Sequence, residues 1–420
     1  MRLHDLETMA ARVLRRSPRV FRQAQRAQHR LWKIRMGLRA WRLRGEVDVV
    51  RTLWVNPHRI DCFAHPRSFT CADQGRLTFG DAKREGSRFT ESPVFRGLNQ
   101  HFVDGQAWPE TDYYRYASLL ISKNRRPWGC RTRADLELRL TSLDKLFQDI
   151  QRDGYRTQSE LHVGASPPSA EDEIIVTIDA NGQMLLEDGQ HRLAIAKLLN
   201  LKSVPVKVAA RHSDWCRFRR TLRCYARELP AGRFSTPLLH PDLADLPTEQ
   251  DDDRYELLRG FLPATRGTVC DLGACWGYFS HRFEQDGLRC YAVEPCPRSY
   301  QILDRLRLAE NRRFQTAASW QCGYPAQKTF DAILLLNAFD GVADGEERFP
   351  QLIRALQVLG GEAIFLHIPP WIRHPHPGPH RDPTAEECIA SIQKQSGISG
   401  VDLGCGTLRG GMIYRFLRKH

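Results

Sequence analysis

Apolar positions along the chain change their period several times, and each change marks an element. Val49–Val55 is a β-branched run closing on Asn56-Pro57, which predicts a strand entering a turn. Leu143, Leu146, Phe147 and Ile150 recur at steps of three and four, which predicts a helix over Thr141–Arg152. From Glu173 to Val208 the pattern gives a strand (Ile174–Ile178), the turn Asn181-Gly182, a short strand (Gln183–Leu186), a helix to Leu199 and a strand (Val204–Val208). Beyond Thr268 an apolar run, a helix (Tyr278–Glu284), a strand (Cys290–Val293), a helix (Tyr300–Leu308) and strands near Phe314–Ala317 and Phe330–Leu336 follow one another. A helix (Phe349–Leu359), a strand (Glu362–His367), a helix (Ala385–Lys394) and two strands (Ile398–Leu403 and Met412–Leu417) complete the series.

Alternating strand and helix predicts a doubly wound parallel sheet, an α/β architecture. The last two strands, joined through the glycine turn Gly404–Gly411, must instead be antiparallel neighbours. Val401-Asp402-Leu403-Gly404-Cys405-Gly406 imitates a glycine-rich cofactor motif, but only 14 residues follow it, against about 30 for a βαβ unit. Residues 59–140 read as an irregular insertion with an aromatic and acidic cluster at Trp108–Tyr114, serving either as packing or as a substrate surface. Arg211–Arg233 reads as a basic helix. Pro230, Pro237, Pro241 and Pro247 then block regular structure, so 211–254 reads as an inter-domain linker.

A chain of 420 residues holds two to three domains of ordinary size. No apolar stretch approaches the ~20 residues that span a bilayer, and the start of the chain lacks a signal-peptide core, so the expected location is the cytoplasm. Twelve cysteines without a CxxC pair fit a reducing compartment and argue against zinc or a disulfide framework.

The formal charge of +13 changes meaning once it is located. Residues 1–45 carry 13 Lys/Arg against Asp5 and Glu7, leaving 49 basic against 47 acidic residues in the rest of the chain. Within that basic segment Leu3, Leu6, Ala10, Val13, Val20, Ala24, Ala27, Leu31, Ile34, Leu38 and Trp41 recur at helical spacing. Such a basic amphipathic helix can lie on an anionic membrane surface, pack on the body of the protein, or bind nucleic acid through counterion release. Trp32 and Trp41 favour the membrane, making the protein peripheral to its inner face, and nucleic acid ranks below the other two.

The most informative stretch is Thr268 to Pro295: a strand, a turn with Gly273 and Gly277, a helix, a second strand, and an acid, Glu294. A glycine turn after a parallel strand lets a ligand approach the backbone, and an acid at the tip of the next strand can accept both hydroxyls of a ribose. Asp271 and Glu294 stand 23 positions apart, near the ~20-residue spacing of a nucleoside site. The turn is Asp271-x-Gly273-x-x-x-Gly277, so the tight pyrophosphate turn of NAD and FAD domains is absent.

The stretch resembles class I S-adenosylmethionine-dependent methyltransferases, and among them the FkbM-like group. The resemblance rests on Asp271, Gly273, Ala274, Gly277, Tyr278 and Ser280, then Ala292, Glu294, Pro295 and Pro297. It implies a methyltransferase domain over 255–420 with a terminal antiparallel hairpin. It also implies S-adenosylmethionine as cofactor, with Asp271, Gly273, Ala274, Gly277, Glu294 and Asn337 around it. In that family the methyl lies above the ends of the first and fourth strands, so Asn337, Ala338, Phe339 and Asp340 are placed to meet the acceptor. Asp340 can take a proton from a hydroxyl nucleophile or can be a turn acid. His367 is the catalytic histidine candidate. His374, His376 and His380 fit a substrate-lining loop better than a metal site.

A second motif, Glu187-Asp188-Gly189-Gln190-His191-Arg192, opens a helix, where backbone N–H groups and the helix dipole favour a phosphate. His191 and Arg192 add side-chain donors, or they cap and pack for Glu187 and Asp188. With Ala194, Ala196, Pro205 and Val206, the motif resembles the ParB/sulfiredoxin superfamily over residues 46–210. That resemblance implies an α+β domain binding a nucleoside triphosphate with magnesium at Asp188, Gly189, Gln190, His191 and Arg192, with phosphotransfer as a further activity. The expected organisation is thus a basic helical segment (1–45), a nucleotide-binding domain (46–210), a linker (211–254) and a methyltransferase domain (255–420). The expected function is methylation of a glycan or small-molecule hydroxyl, with phosphorylation of the same acceptor possible. The alternative is a ligand-sensing protein without turnover, recruited to nucleic acid or membrane by its N-terminus.

Overall fold

Buried alternation on the strands of the C-terminal half builds one sheet with helices on both faces. The structure is a computed structural model and describes residues 52–64, 84–157, 160, 173–229, 231–249, 253–262, 266–319, 329–337, 353, 355, 356, 358–369, 384–396, 400–407 and 411–417. The basic segment 1–45, Ala338–Asp340 and the histidines 374, 376 and 380 lie outside the described residues. The chain divides into two units, 1–180 with 184–220, and 221–420 with 181–183.

In the first unit the strands are β1 (Thr52–Val55), β2 (Cys62–Ala64), β3 (Arg84–Arg88), β4 (Ile174–Ile178), β5 (Met184–Asp188) and β6 (Val204–Arg211). They form a mixed sheet in the order β1-β6-β4-β5-β2-β3, with β4 and β6 parallel and β4 and β5 a hairpin. The stretch read as irregular contains two helices, α1 (Pro93–Phe102) and α2 (Asp112–Ser122). Ser92 accepts from the Phe95 N–H and Thr111 from the Tyr114 N–H, so Ser92-Pro93 and Thr111-Asp112 are helix starts rather than loop signals. Trp108 and Tyr113 are buried, which makes their aromatic cluster a packing element. Helix α3 (Arg133–Asp153) carries a Thr132/Asp135 capping box, and α4 (Gln190–Leu198) follows β5.

Helix α5 (Ser213–Glu228) contains the point where the units divide. The second unit then has α6 (Asp253–Arg259), β7 (Thr268–Leu272), α7 (Tyr278–Gln285), β8 (Arg289–Val293), α8 (Pro297–Ala309), β9 (Gln315–Ala317) and β10 (Thr329–Leu335). After these come β11 (Gly360–Ile368), α9 (Ala385–Ser396), β12 (Gly400–Gly406) and β13 (Met412–Leu417). The strand order is β12-β13-β11-β10-β7-β8-β9, parallel except at β13, which runs antiparallel to both β11 and β12. Val401–Gly406 thus lies within a strand.

The helices cover both faces because the strands alternate. Cys270, Leu272, Ile333, Leu335, Ile364 and Leu366 pack with Leu356, Cys388 and Ile392 on one face. Val269, Ala332, Leu334 and Phe365 pack with Leu258, Phe279, Phe283 and Leu303 on the other. This is a mixed α/β, Rossmann-like sheet with an antiparallel terminal hairpin.

The proline-rich stretch is not a linker. Phe234, Leu238, Leu243 and Leu246 are buried, and Phe234 exchanges backbone bonds with the far end of the same stretch, to Pro247 O (2.9 Å) and from Glu249 N (2.8 Å). Prolines stop regular structure, but they leave apolar side chains free to bury, and residues 231–249 form a folded strap of the second unit.

Candidate functional site

Strand β7 is buried at every residue, and the chain leaves it through three left-handed positions, Gly273 (φ +79°), Cys275 (φ +55°) and Gly277 (φ +85°). Gly277 caps α7 at a left-handed φ that disfavours any side chain, and a Cβ there would stand 2.3 Å from Leu303 Cδ1, so that leucine would have to shift. The Gly273 and Ala274 N–H groups donate to Val293 O at 2.8 and 3.0 Å, hooking the turn onto the end of β8.

Glu294 stands at that end, wholly buried. One carboxylate oxygen accepts the Cys275 N–H (2.7 Å) and the other the Cys296 N–H (2.9 Å). The acid therefore staples the turn to the start of α8.

Asp271 is also fully buried and lies one strand away. Its Oδ2 accepts from Ser280 Oγ at 2.9 Å, while Oδ1 has no hydrogen-bond partner. Burial drives its pKa up to about 7, against the Ser280 bond and with help from the nearby Glu294 charge. Trp276 donates its indole N–H to Thr236 Oγ1 and meets the Phe234 ring edge-on at 5.0 Å, so the strap lies against the turn.

The ends of β10 and β11 bring two further residues to the same sheet edge. Asn337 donates to Gly273 O at 3.2 Å, tying β10 to the turn. Its Oδ1 accepts from Arg254 Nη1 at 3.3 Å. The same nitrogen reaches Leu336 O at 2.9 Å and His367 Nδ1 at 3.2 Å, and the guanidinium lies 5.1 Å from the Phe279 ring centroid. Gly411 on the terminal hairpin passes so close to His367 that a Cβ would stand 2.4 Å from Nε2.

Of the residues singled out in the sequence, Asp271, Gly273, Ala274, Gly277, Glu294, Asn337 and His367 gather at this carboxyl edge, while Asp340 lies outside the described residues. Sequence reasoning missed Arg254. It sits in the short charged helix α6, where an arginine is unremarkable, and only its 6% exposure reveals its inward course.

In the first unit Gly189 (φ +87°) opens α4 as Gly277 opens α7, with no side chain capping the helix. Asp188 is exposed and accepts its neighbour's Gly189 N–H at 2.7 Å, while Gln190 and Arg192 are half-buried. Glu187 is raised by burial and accepts from Thr177 Oγ1.

His191 departs from the expected phosphate set. It is buried, with Nε2 3.1 Å from Tyr113 OH and Nδ1 3.2 Å from Arg139 Nη2. A guanidinium only donates, so Nδ1 accepts and Nε2–H donates to the phenol. Burial first, then Arg139 and Arg192, push its pKa down to about 3. A neutral imidazole engaged at both nitrogens is an internal strut. Among the described residues no group of three or more His, Cys, Asp or Glu is arranged to hold a metal, and no helix is long and apolar enough to cross a membrane.

No family model matches the chain, and no curated protein matches it. Among solved structures, a bifunctional kinase-methyltransferase, WbdD, is similar over 48% of this chain and 46% of its own, at 16% identity and a TM-score of 0.36. The magnesium protoporphyrin IX methyltransferase of Synechocystis PCC 6803 with bound SAM is similar over 40% of this chain and 77% of its own (16% identity, TM-score 0.30). A TehB-like SAM-dependent methyltransferase of Corynebacterium glutamicum is similar over 42% and 93% (12% identity, TM-score 0.31).

Proposed function

We propose that the second unit binds S-adenosylmethionine at the 271–294 turn and transfers its methyl to a hydroxyl of a glycan or small molecule. The observation that carries this reading is the staple made by Glu294, a buried carboxylate at the tip of β8 that holds a left-handed glycine turn through two backbone amides. The residue types fit the cofactor. Gly273 and Gly277 keep side chains off the turn, Glu294 places a carboxylate at the tip of the second strand, the position and charge that suit ribose hydroxyls, and the unpartnered Asp271 Oδ1 leaves one buried acceptor available. The cofactor would supply an electrophilic methyl, and the chain's part is to orient it beside the ends of β10 and β11.

The first unit, on this reading, binds a nucleotide phosphate at Asp188–Arg192. Support comes from the uncapped start of α4, with Arg192 beside it. His191 is left out of the set for the reason given above. Phosphorylation of the acceptor by this unit is the finer form of the proposal. The basic segment 1–45 would bring both units to an anionic membrane surface.

Titration calorimetry of the full chain with S-adenosylhomocysteine tests the central statement. A micromolar Kd, about −8 kcal/mol, is expected, with at least tenfold weakening in Glu294→Gln. A folded wild type that takes up no heat with the ligand refutes it.

A further inference from the structure

We propose that the corner between α2 and α3, residues 116–133, is a docking surface for an anionic lipid bilayer. It stands apart from the cofactor and nucleotide readings, and it is separate in the chain from the basic segment 1–45.

The corner carries Lys123, Arg125, Arg126, Arg131 and Arg133 with no acid between them, and all five are exposed. The acids that flank it in the sequence are committed elsewhere. Asp112 pairs with Arg96 (3.0 Å) and Arg115 (3.8 Å), and Glu137 pairs with Arg133 at 3.2 Å. Asp135 accepts the Arg131 and Thr132 N–H groups at 2.8 and 3.0 Å. Among the described residues Lys123, Arg125, Arg126 and Arg131 make no ion pair. Four cations that the fold leaves unneutralised attract an anionic surface.

Beside them Tyr116 and Leu119 share one stripe of α2, 40% and 51% exposed. Lys123 N donates to Leu119 O at 3.3 Å and Arg125 N to Leu120 O at 2.9 Å, which turns the loop back at the helix end and keeps its first cations next to that stripe. The Trp128 ring lies 6.3 Å from the Tyr116 ring and is stacked on buried Tyr113 at 4.5 Å and 10°. Its backbone is left-handed (φ +49°), a conformation that a bulky residue keeps only where packing imposes it. Here the stack on Tyr113 imposes it, and Trp128 is held half-buried between the cations of Arg126 and Arg131.

Phosphate recognition alone would use the cations and leave Leu119 idle. A bilayer uses both, since headgroup phosphates take the cations while the headgroup–acyl boundary takes Leu119 and the amphipathic rings of Tyr116 and Trp128. Stacking on single-stranded bases needs an open ring face, and Tyr113 already occupies one face of Trp128.

Hydrogen exchange read by mass spectrometry on the full chain tests this, because the corner and residues 1–45 fall in different peptides. Vesicles of phosphatidylcholine mixed with phosphatidylglycerol are expected to slow exchange in peptides spanning 116–133, and vesicles of phosphatidylcholine alone to leave it unchanged. In Arg125→Gln/Arg126→Gln the lipid concentration giving half of that protection is expected to rise at least ~fivefold, the weight of one cation near the surface. Leu119→Ser is expected to weaken it as well. These side chains are exposed, and melting temperatures equal to that of the wild type show that the variants fold. Corner peptides that exchange at the free rate on the mixed vesicles overturn the proposal, whether or not residues 1–45 are protected. Protection that survives the double substitution unchanged overturns it, and so does an unchanged Leu119→Ser, since charge alone would then account for the binding. A single-stranded DNA oligomer that slows the corner peptides more than the mixed vesicles do would assign the surface to nucleic acid instead.

Discussion

Replacing Asp271 by asparagine separates the cost of a buried charge from the rest of the site. In the folded chain the carboxyl has a pKa of about 7, against an ordinary value of 3.8, chiefly because it is fully buried. An acid raised in the fold contributes stability that is complete below the unfolded value and is lost as pH rises through the folded one. Between pH 3.8 and about 7 the unfolded chain releases a proton that the folded chain keeps. At about 1.4 kcal/mol per unit, this penalises the fold by roughly 4 kcal/mol once both forms are ionised. Asp271→Asn keeps an oxygen to accept the Ser280 hydroxyl and cannot ionise. Urea unfolding of both proteins in matched buffers, from about pH 4 to about pH 8, is the assay, and only the difference between them is used, so other titrations cancel. The variant is expected to gain on the wild type steadily between those limits and to hold its gain above pH 7. A difference that stays flat across the range would refute the reasoning, because it would mean that the carboxyl ionises freely in the fold.

Gly277→Ala is expected to destabilise the second unit by roughly 2–5 kcal/mol, from a left-handed backbone and a methyl driven into Leu303. Gly232→Ala, also left-handed (φ +66°) but with nothing within 4 Å of the new methyl, should cost only about 1 kcal/mol; paired thermal melts decide between them. For His191 the sign is opposite to that of Asp271. Its pKa falls from 6.5 to about 3 in the fold, so its contribution is complete above 6.5 and is lost as acid protonates the unfolded chain. His191→Gln should therefore flatten the acid limb of the first unit's stability curve, and acid titration followed by tryptophan fluorescence would show a parallel shift if it does not.

The turn from β7 to Glu294 was legible in the sequence because every signal there is local. An apolar run, two glycines and an acid at fixed spacing specify their own backbone, and the observed elements begin and end within one or two residues of the expected ones. Relations between distant residues were not legible. Arg254 meets His367 across 113 positions and Arg139 meets His191 across 52, and nothing in an arginine's immediate neighbours tells whether its guanidinium turns inward. The strap 231–249 was misjudged because prolines were weighed as breakers of structure, while the buried Phe234, Leu238, Leu243 and Leu246 between them carried the opposite signal. Ser92-Pro93 and Thr111-Asp112 show the same lesson in miniature, since a residue that ends one pattern can be the cap that begins the next.

The way Glu294 grips its neighbours has a bearing on how this sequence can drift among descendants. The carboxylate reads the amide nitrogens of residues 275 and 296, and every amino acid but proline presents that nitrogen. Selection on the staple would therefore fall on the acid and be nearly blind to the two cysteines. At position 275 the backbone angle (φ +55°) narrows the tolerated set toward glycine and asparagine. At position 296, where φ is −70°, proline would suit the angle and still fail, because it lacks the one hydrogen that the acid holds.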